Sequence, residues 1–393
     1  MAESKCEQIM AQCRSDAVQW TAELVRINSE NPPGNEYNVA MFCANKLREI
    51  GLEVVVDEFL PQRVNVTAYA GNKDDIGIVF NGHMDVVIAN GTWEYPPYSG
   101  TTVDGYIWGR GSADMKSGCA AMIAAIKALK LLGCEMNKGI CISLVADEEA
   151  INAGAKRLKQ TTELKADACV VCEPTKLQVH YGNRGYTSFF VRTHGVACHA
   201  SEPKKGKNAI YQMAGVIKKL QAFADELEHR TNDQLGCISL SVGVIRGGTS
   251  LNMVPDLCEI EVESRVFTGM DATTMLMELQ KLLAGEAEVE IRSNLFASLV
   301  PLDSRIVKTA AECVRDVIEK EAIITKFPAC SEASFFSEGY GIPTILLGPG
   351  DIACAHKANE RVAIHEVEKA VDIYMAIARK YVEQRRGCSE NLI

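Results

Sequence analysis

Short apolar runs recur along the chain, and helical patterns fill the gaps between them. "IGIVF" at 76–80, "GICISLVADEEA", "DACVVCEPT" and "IPTILLGPG" each hold a few consecutive apolar residues that end in Gly, Pro or acidic residues. That is how strands buried on both faces read. Around them, an N-terminal helical stretch leads to "NPPGNEYNVAMFCANKLREIGLEVVVDEF". This segment is a Pro/Gly turn, an amphipathic helix stopped near Gly51, then a strand. "GSADMKSGCAAMIAAIKALKLLG" gives an Ala/Ile/Leu-rich helix that ends at Gly133, and a last helix closes the chain over about residues 366–386. Strands alternating with helices predict an α/β domain of three layers around a mostly parallel sheet.

From about residue 183 the rhythm changes. "YTSFFVRTHG" reads as a strand, "NAIYQMAGVIKKLQAFADELEHR" as a helix, and "GCISLSVGVI" and "CEIEVESRVF" as two strands, the second strictly alternating. "DATTMLMELQKLLAG" and "AEVEIRS" add a helix and a strand. The order β-α-β-β-α-β is that of a ferredoxin-like α+β sandwich. The expected organisation is therefore one domain of residues 1–182 and 295–393, interrupted by an inserted domain of residues 183–294.

The strand ends carry the chemistry. "NGHMDVV" puts His83 and Asp85 after the first apolar run, Asp147, Glu148 and Glu149 follow the second, and Glu173 follows the third. Ligands of open α/β sheets gather at the carboxyl ends of strands. With Asp114 in "GRGSADMKSG" and His356 in "ACAHKANERV", these residues form a set of two imidazoles and several carboxylates. Such donors suit zinc, cobalt or manganese, and their number suits two ions sharing a carboxylate. Each member also has a plainer reading: Asp114 fits a helix cap, the "DEE" run a solvated turn, and His356 a surface loop.

Composition narrows the class. The 393 residues are 47% hydrophobic and 23% charged, with a formal net charge of −10. That balance belongs to a soluble globular protein and argues against a general nucleic-acid or anionic-membrane surface. The N-terminal residues lack an apolar segment of signal-peptide length, so a cytoplasmic location is expected. Fifteen cysteines are scattered through apolar segments, the usage of reduced, buried thiols. Cys169 and Cys172 have redox or zinc spacing but no second pair to complete a structural zinc site, which leaves a non-catalytic metal or redox protein as the weakest alternative.

"NGHMDVV", "WGRGSADMKSG", "ADEEA", "CEPT", "GVACHAS", "NMVPD" with "ESRVFTG", and "LLGPGDIACAHKANERV" follow one another along nearly the whole chain. In this order they resemble the two-metal amidohydrolase and peptidase family that includes acetylornithine deacetylase, succinyl-diaminopimelate desuccinylase, aminoacylase and glutamate carboxypeptidase. The resemblance implies one ion held by His83, Asp114 and Glu173 and a second by Asp114, Glu149 and His356, with Asp114 bridging. It places Asp85 behind His83 as acceptor of the other ring N–H, and makes Glu148 the general base for attack of a metal-bridging hydroxide on an amide.

The resemblance extends to the inserted domain, which becomes a lid and dimerisation domain. His199 is then lent to the site of a partner subunit in a homodimer to stabilise the oxyanion, and Asn252 and Arg265 hold the substrate. "GGTSLNMVPDLCEIEVESR" and "CSEASFFSEGYGIPTILLGPGDIACAHKANE" are most similar to the deacetylase branch, which tolerates Glu at position 332 where the family often has Asp. That branch implies a small N-acyl amino acid as substrate, with a dipeptidase or metallocarboxypeptidase activity as the alternative. His180, His194, His229 and His365 lie outside the motifs and read as structural or solvated, His180 least securely because of its place near the domain junction.

Overall fold

The computed structural model describes residues 2–232 and 235–383. The chain divides into two compact units. One holds the residues up to Gly182, Val300–Phe327 and those from Ser331 onward; the other holds Asn183–Leu299 and Pro328–Cys330.

In the first unit a sheet is built, in spatial order, from the strands Glu53–Leu60, Arg63–Ala70, Gly139–Val145, Ile76–His83, Cys169–Val171, Thr344–Leu346 and Val179–Asn183. Its centre is parallel: Gly139–Val145, Ile76–His83, Cys169–Val171 and Thr344–Leu346 run the same way. These are the apolar runs picked out in the sequence, and Ile76–His83 and Gly139–Val145 are buried at every position. The flanks are antiparallel. The sequence reading lacked two of these flanking strands, Val179–Asn183 and Arg63–Ala70, the latter forming a hairpin with Glu53–Leu60. "RVNVTAYA" intersperses polar residues among its apolar ones, so no apolar run announces it. Among the helices, Ser117–Leu131 packs against Ala2–Arg26 and Ile364–Val382. The last helix ends at Val382, and residues 384–386, expected to extend it, lie outside the described residues.

In the second unit four antiparallel strands stand in the order Ser239–Gly247, Leu257–Val266, Gly185–His194, Glu288–Leu295. Numbered along the chain that order is 2-3-1-4, the ferredoxin-like arrangement expected from the β-α-β-β-α-β rhythm. The alternation of "CEIEVESRV" is matched residue by residue, with Cys258, Ile260, Val262, Ser264 and Val266 buried. The apolar faces of Ala209–Leu227 and Ala272–Leu282 complete that core through Met213, Val216, Leu220, Met275 and Leu279. Among the described residues, no helix is long and apolar enough to cross a membrane.

Candidate active site

Parallel pairing brings three strand ends level. His83 is paired with Val145, and Asn81 with Val171. Asp147, Glu148 and Glu149 lie just past Val145, and Glu173 lies two residues past Val171. Asp114 arrives from the turn Ser112–Lys116 that precedes the helix Ser117–Leu131. Gly118 in that helix lets it pass close to the strand end bearing Glu173, since a Cβ there would sit 2.2 Å from the Cys172 carbonyl oxygen.

His83 Nε2 lies 3.1 Å from Asp114 Oδ1, and His356 Nε2 lies 3.5 Å from the other oxygen, Oδ2. One carboxylate thus faces two imidazoles, each through a different oxygen. His356 also meets Glu149, with Nε2 3.0 Å from Oε2. His83, Asp114 and Glu149 each offer a ligand atom within 4.8 Å of the others. His356 and Glu173 fall outside that trio, although His356 touches two of its members. For His83 the detail differs from expectation. Its Nδ1 is 2.9 Å from the backbone carbonyl oxygen of Asp85 and 3.7 Å from the nearer carboxylate oxygen. The Asp85 carboxylate instead accepts the backbone N–H groups of Glu148 and Glu149, each at 3.1 Å. Asp85 therefore orients the ring through its main chain and the acidic turn through its side chain.

The electrostatics show too much negative charge for the space. Burial, followed by the charge of Asp114, raises Glu149. Burial raises Glu148 well above the usual carboxylate range, with Glu149, Glu332 and Asp114 adding to it against the pull of His83. Glu173 is raised in the same way, by burial and then by Asp114. Asp114 goes the other way: burial opposes ionisation, but the two histidines outweigh it and hold the carboxyl low. His83 also loses to burial and regains more from Asp114, Glu148 and Glu173, so its ring is held well above its ordinary value. His356, hydrogen-bonded to Asp114 and Glu149, is raised to about 10. A crowd of carboxylates that share protons with two imidazoles is the environment a divalent cation relieves, and oxygen and nitrogen donors suit such an ion. The donor set of His83, Asp114 and Glu149 fits a divalent metal ion.

Arg110, Lys116 and Glu360 hold this site together and were not read from the sequence. Glu360 Oε1 accepts the backbone N–H groups of Ala113 and Asp114 at 3.0 and 3.1 Å, and its other oxygen is paired with the buried Arg110. Lys116 is fully buried and donates to the carbonyls of Leu24 and Ile27, at the end of the first helix. Glu332 is fully buried, and burial raises its carboxyl to about 8. Cys169 and Cys172 are buried thiols whose pKa values burial raises, the reverse of what a reactive or metal-binding pair needs.

The second unit holds the other candidates. His199 and Met253 are partners in a two-stranded ribbon, which brings the exposed His199 and Asn252 side by side. His199 Nδ1 lies 2.7 Å from Ser201 Oγ and 3.2 Å from the Ser201 backbone nitrogen, so the ring is anchored through Nδ1. Arg265 donates through Nε to Glu263 at 2.7 Å and through Nη1 to Cys330 Sγ at 3.1 Å, with its guanidinium 5.1 Å from the Tyr186 ring centroid.

Imidazoles and carboxylates converging at the carboxyl edge of a central parallel sheet form a candidate metal site. The model of peptidase family M20/M25/M40 matches residues 79–380, and the chain belongs to that family as a metal-dependent amidohydrolase or peptidase. It is 31% identical to an acetylornithine deacetylase of Vibrio vulnificus, over 90% of this chain and 95% of that one. Among solved structures it resembles an M20 family metallo-carboxypeptidase from Sulfolobus solfataricus, with a TM-score of 0.77, 18% identity, and coverage of 93% of this chain and 99% of that one. A dinuclear metal-binding M20 peptidase from Bacillus subtilis has a TM-score of 0.71 and 15% identity, covering 95% of this chain and 99% of that one.

Proposed function

We propose that this enzyme hydrolyses the amide bond of a small N-acyl amino acid, in the manner of acetylornithine deacetylase or succinyl-diaminopimelate desuccinylase. The observation that carries the chemistry is the division of labour between adjacent acids. Glu149 is engaged with His356, whereas Glu148 is raised by burial and interacts in charge chiefly with His83. A half-buried carboxylate beside a ligand set is suited to take a proton and give it back. The likeness to the Vibrio vulnificus enzyme supports an acyl amino acid as substrate.

His83, Asp114 and Glu173 would hold one divalent ion and Asp114, Glu149 and His356 the other, zinc or alternatively cobalt or manganese. When bound, such ions make hydroxide available near neutral pH and draw charge from the amide carbonyl. Glu148 removes the proton of the attacking water and delivers it to the departing amine. Asp85 fixes the His83 ring and the acidic turn. Residues 183–294 act as lid and dimerisation domain of a cytoplasmic homodimer. In that dimer the partner subunit's His199 donates its Nε2–H to the oxyanion, while Asn252 and Arg265 hold the substrate.

The test is a panel of N-acetyl and N-succinyl amino acids beside dipeptides, with zinc, cobalt or manganese supplied. Release of acetate or succinate supports the proposal; cleavage of dipeptides alone replaces it with the peptidase reading. Co-refolded His199→Ala and Glu148→Ala chains test the exchange of histidines. Random pairing makes about half the dimers mixed, each with one intact site, so activity should return to about a quarter of wild type. Mixed dimers that stay inactive refute the exchange.

A further inference from the structure

Asp147 introduces the Glu148–Glu149 pair, and its backbone is unusual. Its φ is +72°, in the left-handed region that residues other than glycine rarely enter. Such a conformation persists only where its surroundings impose it. Its carbonyl accepts the Asn152 N–H at 2.7 Å, and its Oδ2 accepts the Ala153 N–H at 2.9 Å. The other oxygen, Oδ1, takes a hydrogen from Asn31 Nδ2 at 2.8 Å and is paired with Arg63.

Asn31 has a second role. Its Nδ2 also donates to Asp85 Oδ2 at 2.8 Å, and the Asp85 carboxylate receives the backbone N–H groups of Glu148 and Glu149. One neutral amide thus ties together two buried carboxylates, one on each side of the acidic turn. It works in only one orientation, because a flipped amide would aim its oxygen at both acids. Arg63 enforces that orientation: Nη1 donates to Asn31 Oδ1 at 3.3 Å and to the Pro33 carbonyl at 3.1 Å. Behind it, the fully buried Glu36 lies 3.4 Å from Arg63 Nε. Gly34 leaves room for this guanidinium, since a Cβ at that position would lie 1.1 Å from Nη1. The "NPPG" turn and a strand residue more than thirty positions from Asn31 therefore converge on the acidic turn.

We propose that Asn31, aimed by Arg63, is a positioning residue for the hydrolytic step: it clamps Asp147 and Asp85 so that the turn presents Glu148 to the reacting water. The proposal rests on the reading of Glu148 as general base. Asn31 acts through Asp85 and Asp147, to which its Nδ2 donates. Its loss should lower turnover through misplacement of Glu148, an effect that reaches about 100-fold for a displacement of about 1 Å.

The experiment uses the metal-loaded full chain with N-acetylornithine, or with the fastest substrate of the panel if that one is not cleaved. Asn31→Ala should lower kcat by about 10–100-fold with KM within about threefold and metal content equal to wild type. Asn31→Asp, of the same shape but with an acceptor in place of the donor, should lose at least as much. Arg63→Gln should give a partial loss. If Asn31→Asp does not fold, Asn31→Ala and Arg63→Gln carry the test.

The deciding measurement is a double-mutant cycle. In a Glu148→Gln background, Asn31→Ala should cost little more, because the group it positions is already disabled. An unchanged kcat in Asn31→Ala, a loss that merely follows lost metal, or the full loss repeated in the Glu148→Gln background each overturns the proposal. If Glu148→Gln itself keeps wild-type turnover, it is the general-base reading that fails, and the two failures are told apart.

Discussion

Arg110 and Glu360 offer the sharpest test of how the Asp114 turn is held. Each side chain is 1% exposed, and Glu360 pairs with Arg110 while accepting two backbone N–H groups that fix Ala113 and Asp114. Arg110→Leu keeps much of the bulk but leaves the buried Glu360 without its cation. Removing one partner of a buried pair costs about 3–5 kcal/mol, because the remaining charge is left uncompensated. Glu360→Gln keeps one acceptor oxygen for the two N–H groups and should cost about 1–3 kcal/mol. In the double variant no charge is stranded, so its cost should fall short of the sum of the singles by about 2 kcal/mol or more. At about 2 °C per kcal/mol for a unit of this size, Arg110→Leu should lower the thermal midpoint of the metal-loaded enzyme by roughly 6–10 °C. Metal affinity should fall too, by about 10–100-fold, because the turn that carries Asp114 loses its brace. Circular dichroism melts and metal titration read both effects. An Arg110→Leu midpoint within about 2 °C of wild type, or singles that add fully, would refute the reasoning.

Chelation should abolish activity and lower the melting temperature, with zinc or cobalt restoring both; at a metal concentration about 100 times the dissociation constant the ion adds about 2.7 kcal/mol of stability. Full activity in a metal-free sample would exclude the two-ion reading. Glu148→Gln should retain its metal while turnover falls by about 10²–10⁴-fold, whereas Glu149→Gln should lose metal by elemental analysis; the reverse pattern exchanges their roles. His180 is 5% exposed, packs 5.6 Å from Phe327 between ring centroids, and is lowered by burial to about 4. An unfolded histidine titrates near 6.5, so between these values the unfolded chain binds more protons. Stability from the neutral ring is complete above about pH 6.5 and declines toward pH 4, by about 1–3 kcal/mol. His180→Phe should flatten the melting temperature between pH 7 and 5, and an unaltered slope would count against the burial argument.

The sequence is most legible where one physical rule acts alone. A strand buried on both faces must be apolar throughout, so Ile76–His83 and Gly139–Val145 stood out, and parallel pairing of those strands then levels the residues after them. Arg63–Ala70 was harder to see, because its buried positions include Asn65 and Thr67, which interrupt any apolar run. Asn65 is buried for a specific reason: it donates to the Gly154 carbonyl and accepts the Ala146 N–H, pinning both sides of the acidic turn from the neighbouring strand. The same limit hid Glu360, whose partners Ala113 and Asp114 lie about 250 positions away.

Charged groups that touch a metal or substrate tend to sit in short runs at strand ends, where periodicity breaks and draws attention. The groups that aim them do not. Asn31, Arg63 and Asn65 are an ordinary turn residue and two strand residues, and their function exists only in the pairing of Arg63–Ala70 with Gly139–Val145. Asp85 shows the consequence within a single motif. Two residues from His83, it invites a side-chain bond to the ring, yet its carboxylate is committed to two N–H groups more than sixty positions on. Both of its oxygens are taken: Oδ1 by Glu148, and Oδ2 by Glu149 and Asn31. The ring is left to the Asp85 backbone, so replacing this side chain should disturb the acidic turn before it disturbs His83.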